Sequence, residues 1–195
     1  MRAFVRLFGV MLCALPLAAC LLETKNTIID NPLPIDESIT GTWARAEDGS
    51  VWLLTIRPDD GDPTLGKIAY IYVEPGNDDI DVGRTLFDVR LTEIGAAIYF
   101  EAAPRGPDPF PDASNPIDRF IGRMALEDPD TLRIDIPETA FVREAIEAGR
   151  LEGEIKDGDP DATVTLTGTT SQIRAFLSAS VPADPYGSSV YHRLK

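Results

Sequence analysis

The sequence predicts a mainly β domain: an antiparallel barrel or strongly curved sheet of about eight to ten strands, with two short helices in its C-terminal part. Two observations support this fold class. Short runs rich in β-branched and aromatic residues follow one another from Gly41 onward, and clusters of Asp, Gly and Pro separate most of them. Because short turns join antiparallel neighbours, such a series favours a meander that closes on itself. The predicted barrel domain spans residues 40–195.

The predicted strands share a length of five to ten residues and a high content of Val, Ile, Leu, Thr and aromatic residues. They are Gly41–Arg45, Val51–Arg57, Lys67–Glu74, Thr85–Thr92, Ala96–Glu101, Ile117–Leu126, Thr131–Ile136, Leu151–Ile155, Thr163–Thr167 and Val190–Leu194. Asp157 to Asp161 would form the turn of a hairpin between the eighth and ninth of these.

Two of these strands, Val51–Arg57 and Lys67–Glu74, are apolar on both faces. A sheet face that is open to water would alternate with polar residues. The second face is therefore expected to be covered by a helix, the N-terminal segment, a partner or a bound ligand.

Two helices are predicted between the later strands. Phe141, Val142, Ala145 and Ile146 form an apolar stripe at helical spacing, which begins near Pro137-Glu138 and ends at Gly149. A second stripe consists of Ile173, Phe176 and Leu177. Thr170 or Ser171 is placed to cap the second helix at its N-terminus.

The N-terminus is built like a secretion signal. Arg2 and Arg6 precede an uncharged stretch from Leu7 to Leu15, and two small residues precede Cys20. The uncharged stretch from Leu7 to Leu22 is shorter than the ~20 residues of a spanning helix, and Pro16 interrupts it.

The run Leu17-Ala18-Ala19-Cys20 resembles the lipobox of bacterial lipoproteins. The resemblance implies that residues 1–19 are a signal peptide, and that Cys20 becomes the mature N-terminus. It also implies that Cys20 carries diacyl, palmitate-type chains that hold the protein on a membrane. An Asp after the lipobox cysteine would resemble an inner-membrane retention signal, but the residue there is Leu21, which favours the outer membrane. The expected location is therefore the cell envelope, on the outer membrane facing the periplasm.

Residues 20–39 read as a lipidated tether. Asn, Asp and Pro interrupt scattered apolar residues there, with no period of a strand or a helix. Such a spacer would let the domain stand off the bilayer. In an alternative interpretation, Ile28, Ile29 and Leu33 pack on the domain as a short edge strand.

Composition excludes several function classes. Cys13 and Cys20 are the only cysteines, so the predicted domain offers no thiol for catalysis, disulfide formation or zinc binding. The 32 acidic residues against 18 basic ones, a net charge of −14, argue against nucleic acid as a partner, because phosphate binding needs clustered Lys and Arg. The only histidine, His192, is expected at the surface, and no Gly-x-Ser-x-Gly elbow is present. We therefore expect a protein without catalytic activity or cofactor.

Gly41-Thr42-Trp43 resembles the Gly-x-Trp that opens the first strand of lipocalins. The resemblance implies that the tryptophan plugs the closed end of a barrel, with a late arginine packed across it, here Arg193. The alternative is a core tryptophan in a β-sandwich. A longer series of elements over most of residues 41–195, which ends in Tyr191 to Leu194, is similar to a group of uncharacterised bacterial lipoproteins. No activity follows from that second resemblance.

Two features of the turns and loops are candidate sites. Asp157, Asp159 and Asp161 have the spacing that begins a calcium loop, but Ala162 and Gly168 stand where such a loop needs Gly and Glu. A solvated turn is the preferred interpretation, and no metal is expected. The proline-rich segment from Pro104 to Pro116 is expected at a barrel rim, either as an irregular connection or as a lid with Phe110 exposed.

The leading expectation for function is non-catalytic binding of a small apolar or amphipathic ligand at the cell envelope. An eight-stranded barrel is just wide enough for one such ligand or for side chains that fill it. The alternative is a scaffold or assembly lipoprotein that holds a protein partner through its rim loop, with its barrel filled; an enzyme ranks third. The candidate ligand-lining residues, which could equally be plain core, are Trp43, Trp52, Tyr70, Tyr72, Phe87, Tyr99 and Phe100.

Overall fold

The computed structural model describes residues 22–76, 80–105, 119–156, 163–180 and 185–195. Its elements in chain order are β1 (Glu23–Thr24), β2 (Pro32–Leu33), β3 (Gly41–Glu47), β4 (Ser50–Pro58), β5 (Gly66–Pro75), β6 (Ile80–Ile94), β7 (Ala97–Arg105), β8 (Phe120–Asp128), β9 (Thr131–Pro137), α1 (Thr139–Glu147), β10 (Gly153–Lys156), β11 (Thr163–Leu166), α2 (Thr170–Ser180) and β12 (Tyr186–Arg193).

Eight antiparallel strands close into a barrel. Strands β3 to β9 pair in chain order, and β12 pairs with both β9 and β3, so the ring has no free edge. The mainly β fold class, the closed barrel and the two short C-terminal helices are confirmed. The β3–β4 turn shows why this chain forms tight hairpins: Asp48 and Gly49 both adopt positive φ, 50° and 84°. This turn geometry matches the twist of the strands that it joins.

Strand β6 is longer than the sequence pattern predicts. The expected strand begins at Thr85, whereas β6 begins at Ile80 and pairs with β5 from Ile80 to Val89. Asp81, Gly83 and Arg84 weaken the β pattern of this stretch, but backbone pairing to an existing neighbour does not depend on side-chain propensity. The first residues of β6 can therefore be assigned to the strand only from their pairing with β5.

The apolar side chains divide into two cores. One core fills the barrel interior and includes Trp43, Leu54, Val89 and Leu132. The second lies outside the barrel, between its wall and the layer formed by α1, α2 and β11. Strand alternation produces this division, because successive side chains of one strand point to opposite faces. The helices thus cover the outer side of only part of the barrel.

Residues 22–40 differ from the predicted tether. The side chains of Leu22, Ile28, Ile35 and Ile39 are at most 8% exposed, and they join the two cores. Glu101 Oε2 accepts hydrogen bonds of 2.8 Å from the Ile28 backbone N–H and the Thr27 hydroxyl. Packing of Ile28 on the domain agrees with the alternative interpretation of this segment, but of Ile28, Ile29 and Leu33 only Leu33 lies in a strand, β2.

A short sheet extension fastens this N-terminal segment. Strand β1 lies between β8 and β11, and β10 pairs with β11, while β2 pairs with β6 at Leu33. The hairpin partners β10 and β11 agree with the sequence prediction, whereas the turn residues 157–162 lie outside the described residues.

The helices form where their apolar stripes meet the outer core. Val142 and Ala145 of α1 and Ile173 and Leu177 of α2 are buried there. The cap of α2 is neither Thr170 nor Ser171: Thr169 donates its backbone N–H to Gln172 Oε1 (2.8 Å), and Gln172 donates its own to Thr169 Oγ1 (3.3 Å). This reciprocal pair is a capping box, one residue earlier than predicted. Within the described residues, neither helix has the length and apolarity needed to cross a bilayer.

Candidate functional site

The lower end of the barrel, where β3 begins, is closed by side chains and by the N-terminal segment. Trp43 is fully buried, and its indole Nε1 donates to the Ile39 carbonyl at 2.9 Å. The Arg193 guanidinium lies 4.0 Å from the Trp43 ring centroid and donates to the carbonyls of Thr40 (2.7 Å) and Pro129 (2.9 Å). The predicted packing of an arginine across the plug tryptophan is therefore confirmed.

Side chains fill the interior above this plug. Leu132 is 0% exposed, and Val89, Leu91 and Leu54 are at most 5% exposed. Higher up, the rings of Phe87 and Phe120 meet edge to face at 5.9 Å, across the width of strand β7. Below the Phe87–Phe120 pair, the barrel is ordinary close-packed core.

Aromatic side chains are only partly buried towards the upper end, which is the end that carries the β3–β4 turn. Trp52, Tyr70 and Tyr72 share strand parity with the buried Leu54 and Ile68, so they point inward. The Tyr70 and Tyr72 ring centroids are 6.4 Å apart. This inner surface of Trp52, Tyr70, Tyr72 and Phe87, here called the upper aromatic group, is the candidate ligand-binding site.

Gly83 explains how Tyr72 reaches its place. A Cβ atom at position 83 would lie 2.1 Å from the Tyr72 ring, so the ring occupies the space that any other residue would need. The glycine that weakens the strand pattern of β6 is thus the partner of a predicted lining residue. Sequence reasoning identified Tyr72 but did not connect it to Gly83.

The other predicted lining residues separate into different places. Trp43 is the plug of the lower end, and Phe100 belongs to the interior core, where its ring packs over Gly122. Tyr99 faces away from the interior and belongs to the outer core. Its hydroxyl is 2.8 Å from that of Tyr186. Adjacent strand residues point to opposite faces, so Tyr99 and Phe100 cannot both line one cavity.

One cation faces the interior near the upper aromatic group. Arg45 shares the strand parity of Trp43, and its guanidinium lies 4.9 Å from the Trp52 ring centroid. The Arg45 guanidinium donates to Ser189 Oγ at 2.7 Å and pairs with the Glu47 carboxylate. Sequence reasoning missed this residue, although its position two residues after Trp43 on one strand could have identified it.

Tyr70 and Tyr191, which lie in this region, are held protonated. Burial raises the pKa of the Tyr70 phenol far above its ordinary value, and burial raises the pKa of Tyr191 to about 12. For both phenols, the positive charge of Arg45 opposes the rise in pKa. The guanidinium therefore lies within electrostatic reach of both hydroxyl groups.

The acidic turns at the lower end use their oxygens within the protein. Asp62 Oδ1 accepts from the Thr64 backbone and hydroxyl, and Asp62 Oδ2 accepts from Arg90 at 2.9 Å. Hydrogen bonds from Thr64 and Arg90 lower the Asp62 pKa to about 2. Among the described residues, no three His, Cys, Asp or Glu side chains gather as a metal site. Asp157, Asp159 and Asp161 lie outside these residues.

The outer wall of strands β4, β5 and β6 is apolar. Val51, Val73 and Val82 are direct neighbours across the three strands, and Ile80 and Val82 are 64% and 67% exposed. The described helices pack against the other core, so the predicted covering of this second face is not provided by them. His192 is exposed on β12, as the sequence predicts.

Comparison with known proteins does not identify a relative of this chain: no family model, no curated protein and no solved structure matches it. The closed eight-stranded barrel is compatible with a lipocalin-like fold. Cys20 and Phe110 lie outside the described residues.

Proposed function

We propose that this protein binds a small apolar or amphipathic ligand in the upper part of its barrel, without catalysis, while anchored in the cell envelope. The observation that carries the proposal is the upper aromatic group: four large side chains that point inward and are only partly buried, above a filled lower half.

The hydrophobic effect favours occupation of such a surface. When an apolar ligand covers aromatic surface that is still accessible after folding, removal of that surface from water stabilises the complex by roughly 25 cal/mol per Å². Ligand sites in barrels lie characteristically at one end of the barrel, with apolar walls and few polar groups. Arg45 and Ser189 supply polar groups here.

Calorimetric titration of the purified full chain with 1-decanol tests the proposal. We expect binding, and we expect Trp52→Ala to weaken it about tenfold, equivalent to about 1.4 kcal/mol. Val82→Ser on the outer wall is the matched control and should leave decanol affinity unchanged. Absence of binding, or equal loss in both variants, contradicts ligand binding in the barrel.

Anchoring through acylated Cys20 is the second part of the proposal, and the lipobox supports it. Leu22 is 3% exposed and fixed against β8, and two residues span at most about 7 Å. An acyl anchor at Cys20 would therefore hold the barrel close to the bilayer, on the outer membrane's periplasmic face, with no long spacer. Cys20→Ser should release the protein from the membrane fraction; unchanged fractionation contradicts the anchor.

A protein partner remains the second candidate function, since Ile80 and Val82 are largely exposed on the apolar outer wall. Contiguous exposed apolar side chains are typical of interaction surfaces. Under this alternative, Val82→Ser should abolish co-purification of the partner from envelope extracts and preserve decanol affinity. If only Trp52→Ala has an effect, and that effect is a loss of decanol affinity, ligand binding is the favoured function.

A further inference from the structure

Arg45 is an unusual residue for the inner face of a barrel. It alternates in phase with Trp43, which is fully buried, and it lies directly opposite Trp52 in the β3–β4 register. Its side chain is 24% exposed, and the guanidinium contacts the Trp52 ring. A cation taken out of water in this way is costly unless another charge compensates it.

The compensation within the protein is weak. The carboxylate that pairs with Arg45 belongs to Glu47, two residues further along the same strand, and its side chain is 53% exposed. Exposed ion pairs contribute little, because water and salt screen them. Among the described residues, its other hydrogen-bond partner is the neutral hydroxyl of Ser189. Glu47 can therefore give way to a competing anion at small cost.

The surroundings of Arg45 combine charge with apolar surface. Tyr70 and Tyr191 lie within reach of its charge, and Trp52 and Tyr72 are opposite each other in the β4–β5 register. A planar guanidinium binds carboxylate and phosphate groups through paired hydrogen bonds. The chain as a whole carries a net charge of −14, so long-range attraction would not bring an anion here. Selectivity for an anion would have to come from this one group.

We propose that Arg45 binds the anionic headgroup, carboxylate or phosphate, of a single-chain amphiphile whose apolar tail lies against the upper aromatic group. This inference rests on the proposed function and specifies its ligand class. Glu47 is then the residue that the headgroup displaces. Trp52 serves both parts of the ligand, because it contacts the guanidinium and the inner apolar surface.

The experiment compares 1-decanol, decanoate and decyl phosphate, which share one tail and differ in headgroup, by calorimetric titration of the full chain. We expect decanoate or decyl phosphate to bind at least tenfold more tightly than decanol. Arg45→Gln should weaken binding of the anion about tenfold and weaken decanol binding far less, so that the preference for the anion is lost. Urea denaturation of the variant shows that it is folded. Glu47→Gln should tighten anion binding several-fold, since the competing carboxylate is gone.

Arg84→Gln is the matched control, because it removes the same charge from the exposed outer face of β6. It should change none of the affinities. Equal affinity for decanol and both anions, or an Arg45→Gln variant that retains anion affinity, overturns the headgroup role but leaves ligand binding in place. An equal loss of decanol and anion affinity in Arg45→Gln also overturns it, because Arg45 then acts on the barrel as a whole.

Two further arms separate the remaining outcomes. If inorganic phosphate alone binds as tightly as decyl phosphate, the tail makes no contribution and the amphiphile is the wrong ligand class. If none of the three amphiphiles binds, the proposed function itself fails, and the headgroup inference fails with it.

Discussion

Single residues at the lower end of the barrel combine several roles. Arg193 covers the Trp43 ring and also ties the last strand to the carbonyls of Thr40 and Pro129. These hydrogen bonds run from a charged donor to backbone oxygens. The position of the arginine could be predicted from its resemblance to lipocalins, but its carbonyl partners depend on how the chain before β3 folds back.

Arg193→Lys should lower the free energy of unfolding by about 2–3 kcal/mol, since an ammonium cannot keep the planar contact and all of the hydrogen bonds. Urea denaturation measures the change. Arg57→Lys, at an exposed position on β4, is the matched control and should lie within about 0.5 kcal/mol of the wild type. An effect of equal size in both variants contradicts the special role of Arg193.

At the scale of elements, β-rich runs separated by turn clusters were enough to predict the strands from β3 onward in chain order, with most of their bounds close to the observed ones. It also predicted two helices. Their caps were less accessible to sequence reasoning, because Thr169, Thr170 and Ser171 are all suitable residue types. The structure separates them: Thr169 pairs with Gln172, while the Thr170 hydroxyl donates to the Thr27 carbonyl at 2.7 Å. A tertiary contact thus assigns each hydroxyl its role.

Thr169→Ala should destabilise the protein by about 1 kcal/mol, the usual cost of losing an N-cap. Ser171→Ala is the control, because that residue is exposed at the start of α2 and was an equally good cap on sequence grounds. Chemical denaturation of both variants measures the difference. A larger loss in Ser171→Ala contradicts the observed cap.

For the whole molecule, buried phenols make stability depend on alkaline pH. Burial raises the folded-state pKa of Tyr70, Tyr99 and Tyr191, the last to about 12. Above pH 10 the unfolded chain loses these protons while the folded protein keeps them. Their contribution to stability is therefore complete below pH 10, and it declines as pH rises towards 12.

We expect the free energy of unfolding to fall steadily between pH 10 and 11.5, by roughly 1.4 kcal/mol per pH unit for each phenol that stays protonated. Urea midpoints across this range measure the decline. Tyr191→Phe should give a shallower decline than the wild type. A stability that is constant up to pH 11.5 contradicts the burial of the phenols.

The sequence by itself determined the fold class and the plug pair of Trp43 and Arg193. These depend on local periodicity and on motifs, which are encoded within short stretches of chain. It also predicted an aromatic interior, because many of its aromatic residues lie on the predicted strands.

Only the tertiary structure decided which face each side chain occupies. It placed Tyr99 in the outer core, brought Arg45 to the aromatic interior and packed residues 22–40 into the domain. Alternation along a strand shows that adjacent side chains point to opposite faces, but it does not show which of them point inward. The apolar residues of 22–40 have no period, so their contacts depend on the closed barrel. Pairing between distant segments supplies that information, because burial is a property of the assembled cores.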